Sequence, residues 1–255
     1  MVQALQRSGP HGPTPATTAD APARAQGLYR LSMVHFLVAL ILLLVTVPFV
    51  MELSYGQLIE TVLMTLVLLT AVLALGGQRR TLLAASTLVA PALIGNWLWH
   101  LRPDLLPREI SLVAGIAFVA FVILHLLHFI LRAPRVNSEV LCAAVSTYLM
   151  MGVLWSIAYT LVGRLVPQAF HIAANPDANR ALAGFESLYF SFTTLSTLGY
   201  GDIVPVANVA RLLAVLESTT GMFYVTLLIA RLVSLYATGP PGQLSKPGET
   251  TEKQP

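Results

Sequence analysis

The sequence predicts an all-α membrane protein: six transmembrane helices, with a half-length helix and an irregular loop folding back between the fifth and sixth. Three observations carry this. The 255 residues are 56% hydrophobic and only 11% charged, with a mean hydropathy of +0.73, far too apolar for an ordinary soluble domain. Six apolar runs, at about 31–51, 57–75, 82–101, 110–131, 140–162 and 212–236, each approach or exceed the roughly 20 residues that cross a bilayer. The one long connection, 163–211, ends in a polar stretch with two glycines, "TTLSTLGYGDIVP" at 193–205.

The net charge of +3 and the pI near 9.2 do not indicate nucleic acid. The basic residues fall in short clusters between apolar runs instead of gathering on one face. Those clusters orient the helices. With a cytoplasmic amino terminus, the inside holds Arg7, Arg24, Arg30, Arg79, Arg80, Arg132, Arg135, Arg231, Lys246 and Lys253, and the outside holds Arg102, Arg108, Arg164, Arg180 and Arg211. This satisfies the positive-inside rule with both termini cytoplasmic. The single cysteine, Cys142, excludes an intrachain disulfide.

Residues 1–28, rich in Pro, Ala, Thr and Gly, are expected to form a flexible cytoplasmic tail. They do not read as a signal peptide, because the first apolar run starts late and is long enough to span. Residues 29–136 form a four-helix transmembrane domain with short connectors such as "ELSYGQ" and "GGQRRT". Pro48 and Pro91 fall inside spans and are read as kinks. The fourth run, "ISLVAGIAFVAFVILHLLHFIL", carries no Lys or Arg, whereas voltage sensing needs several charges in one span. His125 and His128 share a helical face, but two ligands make a weak metal site and packing is the preferred reading. Residues 137–238 form a second unit of two spans and the long connection. Residues 239–255 are a short cytoplasmic tail, too small to fold as a regulatory domain.

Within the long connection, "GRLVPQAFHIAANPDANRALAG" reads as a polar loop. "FESLYFSFTTLST" has the length of a helix of about three turns, too short to cross. Irregular backbone at membrane depth survives only where protein buries it or it lines a water-filled cavity. Gly199 and Gly201 lack Cβ and take positive φ freely, so successive carbonyls between Thr197 and Gly201 can point the same way. Four such rows around an axis make oxygen rings that replace the water shell of a cation.

These residues resemble the pore signature of the potassium channel family, T-x-G-Y-G-D after a pore helix and before an inner helix. The similarity covers about 140–237; the first four spans match the six-helix, non-voltage-sensing prokaryotic layout only loosely. The resemblance implies a selectivity filter in which Thr197, Leu198, Gly199, Tyr200 and Gly201 supply coordinating carbonyls, with K+ held at Thr197, Leu198, Gly199 and Tyr200. Asp202, Tyr189 and Phe190 match positions that support the filter. Ser191, Thr194 and Ser196 are similar to small polar pore-helix positions. Gly221 matches the inner-helix glycine treated as a gating hinge, though glycine also serves close helix packing. Leu198 departs from the usual Val or Ile.

Glu217 lies one turn from Gly221, and an intramembrane carboxylate is a functional candidate by default. It either lines the pore as a cation attractor or sits behind the filter, hydrogen-bonded to the pore helix; the second reading is preferred. Arg231 is expected to snorkel to the lipid headgroups. The expected function is passive potassium conduction by a homotetramer in the plasma (inner) membrane. No cofactor is expected beyond the permeant ion, no nucleic-acid partner, and no enzymatic chemistry, since no catalytic triad, metal cluster or nucleotide fold is visible. An unidentified regulatory ligand or subunit is allowed for. The rival readings are a weakly selective cation channel and a non-conducting or transporter-like six-span protein.

Overall fold

The computed structural model describes residues 20–50, 55–74, 79–101, 107–134, 137–173 and 182–237. The chain is mostly helical: α1 (Asp20–Val50), α2 (Gly56–Ala74), α3 (Arg79–Leu101), α4 (Arg108–Arg132), α5 (Ser138–Leu165), β1 (Phe170–Ile172), α6 (Phe185–Leu195), β2 (Ile203–Pro205) and α7 (Asn208–Ala237). Among the described residues, four segments are long and apolar enough to cross a membrane: Met33–Val50, Arg108–Arg132, Ser138–Leu165 and Asn208–Ser234. Two shorter apolar helices, Leu58–Ala74 and Leu83–Leu98, accompany them.

The first helix starts earlier than the apolar run, at Asp20 and inside the stretch expected to be tail. Ala and Arg favour helix there, and Pro22 sits in the first turn, where a missing N–H breaks no intrahelical bond. The rest of that tail, the carboxy-terminal tail and most of the connectors lie outside the described residues. Both α1 and α3 run on through Pro48 and Pro91.

Helix α1 packs on α2 and α5, α3 on α4, and α4 on α5. Phe36, Leu40 and Leu43 of α1, Val67 and Ala71 of α2, Phe118, Val122 and Leu126 of α4, and Ala143 and Met150 of α5 form one buried apolar cluster. The amino end of α5 is capped by Asn137, whose side chain accepts from the Val140 N–H at 3.0 Å and so satisfies an otherwise orphaned donor. At its other end, Arg164 meets Glu109 of α4 at 3.0 Å.

Two further features depart from the expectations. The polar connection carries a small antiparallel ribbon, with Phe170 opposite Pro205, His171 opposite Val204 and Ile172 opposite Ile203. Bonds from the Ala173 N–H to the Asp202 carbonyl (2.8 Å) and from the Val206 N–H to the Ala169 carbonyl (2.8 Å) flank it. Arg231 does not reach away from the protein: its Nη2 donates to the Leu131 and Ala133 carbonyls. The carbonyls at a helix carboxy end lack intrahelical partners and carry partial negative charge, which gives the guanidinium a better partner than a distant headgroup.

Candidate functional site

The site is organised by α6, eleven residues long, held at its start, middle and end. At the start, the Ser187 hydroxyl donates to the Gly184 carbonyl (2.9 Å). Thr160 Oγ1 of α5 donates to Ser187 Oγ (3.1 Å), and Ser156 Oγ lies 2.9 Å from it. In the middle, Ser191 Oγ meets the Gly152 carbonyl of α5 (2.8 Å) and Glu217 Oε1 of α7 (2.5 Å). Tyr159 donates to Glu217 Oε2 (2.5 Å). Glu217 is fully buried.

Two glycines permit this closeness. A Cβ on Gly152 would overlap the Phe192 ring, and one on Gly221 would overlap the Leu195 carbonyl oxygen. Thus α5 and α7 grip α6 at Gly152 and Gly221, and α7 continues unbroken through Gly221. This contact by itself requires glycine there.

Beyond Leu195 the chain leaves the helix through a cap that sets the path of the loop. Thr197 has φ of 59°; its N–H donates to the Thr194 carbonyl (2.9 Å) and the Leu198 N–H to the Thr193 carbonyl (2.8 Å). This is the two-bond Schellman arrangement, with a threonine at the left-handed position where glycine is usual. The Gly199 N–H also donates to Thr193 O (3.1 Å). Positive φ recurs at Gly199 (51°) and Gly201 (81°), while Leu198 and Tyr200 between them keep negative φ. Positive and negative φ thus alternate along five residues, as they do in neither a strand nor a helix. The amides of 197–199 are therefore tied back to α6. Leu198 and Tyr200 are exposed on the single chain.

Asp202 closes the segment. Its Oδ2 accepts from Tyr189 Oη (2.8 Å) and its Oδ1 from the Ile203 N–H (3.0 Å). The Tyr189 ring stacks on Tyr200, with centroids 6.4 Å apart and planes 3° apart. The hydrogen bond to the Asp202 carboxylate is the largest influence pushing the Tyr189 phenol up to about 12, because the neutral O–H is the form that donates. Phe190 meets Tyr159 and Phe170 edge-on at 4.8 and 5.5 Å. Residues 197–202, Tyr189, Glu217 and Gly221 are thus gathered around α6, while Phe190 joins the α5 and β1 side. Among the described residues no group of three or more His, Cys, Asp or Glu could hold a metal; His125 stacks on Phe121.

Sequence reasoning missed Gly152, Tyr159 and Ser187. A glycine in an apolar helix marks close packing in general, but nothing local names Phe192 as its partner.

The fold defines a multi-pass helical membrane protein with its polar chemistry collected between the last two long helices. Residues 140–238 match the family model described as ion channel. The chain is similar to a voltage-gated potassium channel of Aeropyrum pernix, 30% identical over 69 residues, covering 27% of this chain and 23% of the relative. It is also similar to two-pore potassium channel 4 of Arabidopsis thaliana, 41% identical over 49 residues (19% of this chain, 17% of the relative). Two pore potassium channel b of Oryza sativa subsp. japonica is 39% identical over 59 residues (23% and 16%). The chain therefore spans less than a quarter of the length of each of these relatives. Over residues 140–238 the chain is therefore similar to ion channels, and each of the three relatives named is a potassium channel.

Proposed function

We propose that four copies of this chain form a potassium-selective channel, with Thr197, Leu198, Gly199, Tyr200 and Gly201 lining a central filter. The observation that carries this reading is the alternation of positive and negative φ from Thr197 to Gly201, with the neighbouring amides tied back to Thr193 and Thr194. In this reading the alternation turns the row of carbonyls to one side, and a cation needs such rows arranged in a ring. K+ is held by Thr197, Leu198, Gly199 and Tyr200, and no cofactor is needed beyond the permeant ion. Asp202, Tyr189 and Glu217 support the filter from behind, and Phe190 supports it indirectly by packing α6 on Tyr159.

A tetramer is favoured by α7. Only 11% of its spanning window is buried, against 56% for α5, and Leu212, Val215, Met222, Phe223, Leu227 and Val233 are exposed. A helix apolar all round is covered by protein or lipid, and cyclic symmetry places four α7 helices around one pore. Counting α2 and α3 as full spans gives the six-helix layout, with α6 re-entrant and both termini cytoplasmic in a plasma (inner) membrane. The uncharged interior of α4 argues against voltage sensing. Passive conduction needs no covalent chemistry.

Leu198, larger than Val and 55% exposed, favours a second reading, a weakly selective cation channel. A planar bilayer with potassium on one side and sodium on the other separates the two. A reversal potential near the potassium equilibrium value, lost in Gly199→Ala, is the expected result. Reversal near zero with clear current assigns the weakly selective channel, and absence of current from assembled protein in all conditions overturns conduction.

A further inference from the structure

The contacts around Glu217 can be counted in protons. Three close oxygen pairs meet there: Tyr159 Oη with Glu217 Oε2 (2.5 Å), Glu217 Oε1 with Ser191 Oγ (2.5 Å), and Ser191 Oγ with the Gly152 carbonyl (2.8 Å). Each pair needs one hydrogen between its oxygens. Tyr159 and Ser191 bring one each, since a hydroxyl has a single O–H and a backbone carbonyl only accepts. An ionised Glu217 adds none, and two protons then serve three contacts: Ser191 donates either to the carboxylate or to Gly152, and the other pair is two bare oxygens. A neutral Glu217 adds the third. Tyr159 donates to Oε2, the acid proton on Oε1 passes to Ser191, and Ser191 donates to Gly152.

The surroundings agree. Glu217 has no exposed surface, and an ion taken out of water costs several kcal/mol unless it is paired. On α5 the titratable groups facing it are Tyr159 and, acting at longer range, Tyr148. From α6 it meets Ser191, and among the described residues neither a cation nor a second carboxylate acts on it.

We infer that Glu217 is a neutral carboxylic acid whose proton completes a hydrogen-bonded chain from Tyr159 through Ser191 to Gly152, locking α5, α6 and α7 together behind the loop of residues 197–201. Its bearing on conduction rests on the channel reading above; its protonation does not. The pH effect has a definite sign. The lock is complete while Glu217 keeps its proton and loses one of its three contacts as rising pH removes it. Glu217→Gln keeps an acceptor for Tyr159 and an N–H donor for Ser191, so it preserves the lock and removes its pH dependence. Glu217→Ala removes both.

The test is infrared difference spectroscopy on the full-length protein in lipid vesicles, wild type against Glu217→Gln. The expected result is a carboxylic-acid C=O band at neutral pH, shifted in deuterium oxide, absent in Glu217→Gln and displaced in Ser191→Ala, where its acceptor is gone. Only carboxylate bands in the difference, or a band indifferent to Ser191→Ala, overturns the inference. The same preparations are then measured in planar bilayers with potassium. Wild-type current is expected to decline as pH rises while Glu217→Gln current does not; equal alkaline loss in both overturns the pH role. A clear acid band without potassium current supports the proton assignment and counts against the channel reading, so the two fail separately.

Discussion

The backbone carbonyl of Leu195 in α6 lies directly against Gly221 of α7, with no room for a Cβ between them. Two effects of Gly221→Ala oppose each other. Helix propensity alone makes alanine better by about 1 kcal/mol, while forcing a methyl against fixed backbone costs about 1–3 kcal/mol. The obstacle is a main-chain oxygen, which no rotamer change moves, so the clash wins. Gly221→Ala is expected to lower the unfolding temperature of the assembled protein. An unchanged or raised temperature with altered opening would return Gly221 to the role of a hinge.

Gly152 makes the matching contact from α5, but its obstacle is the Phe192 side chain. Gly152→Ala is expected to destabilise by about 1–3 kcal/mol, and adding Phe192→Leu is expected to recover part of the loss. Thermal unfolding of the two single variants and the double variant forms a cycle whose coupling term reads the contact directly. Strict additivity would mean that the ring and the glycine do not meet.

Much of this arrangement could be read from residues, and the remainder could not for physical reasons. Long apolar runs identify helices because a bilayer demands that length, and the two glycines around Tyr200 mark the backbone that departs from helix. The ribbon was hidden: Phe170–Ile172 is too short for an alternating pattern, and its partner Ile203–Pro205 arrives only after α6 has intervened. Arg231 read as a lipid-facing cation because sequence cannot show that the end of α4 comes alongside it. The neighbours of Glu217 come from two other helices with no shared period, so its proton count emerges only once Ser191, Tyr159 and Gly152 are in place.

Tyr189 and Asp202 give a prediction with a pH sign. The phenol is raised from 10.0 to about 12 chiefly by its bond to the Asp202 carboxylate. A raised value means that the bond's contribution is complete below the ordinary phenol value and is lost as pH climbs through about 12. The absorbance titration of tyrosinate, wild type minus Tyr189→Phe, is expected to stay flat through pH 10.0 and rise only beyond it. In the Asp202→Asn variant the same difference is expected to move back toward the ordinary value. A difference signal already half complete at pH 10.0 in the wild type would show that the two side chains are not bonded. At neutral pH, Tyr189→Phe leaves Asp202 with only the Ile203 N–H and is expected to cost about 1 kcal/mol of local stability, read as a reversal potential drifting toward zero.

Thr197 occupies a left-handed position, φ 59°, at the cap of α6, where a residue with a Cβ costs about 1–2 kcal/mol relative to glycine. A β-branched residue is the least suited to it, and the Schellman bonds from the Thr197 and Leu198 amides would form equally well around glycine. Strain kept at one position is a reason to look for a side-chain role. The proposed filter offers one: the Thr197 hydroxyl as a further oxygen ligand beside its carbonyl. Thr197→Gly is therefore expected to separate structure from function: thermal stability of the assembled protein unchanged or raised by about 1 kcal/mol, and potassium over sodium selectivity reduced. Thr197→Ser keeps the hydroxyl and is expected to keep the selectivity. If Thr197→Gly conducts with wild-type selectivity, the carbonyls alone suffice and the hydroxyl is no ligand. If it unfolds at lower temperature, the threonine is held by packing that outweighs its backbone cost.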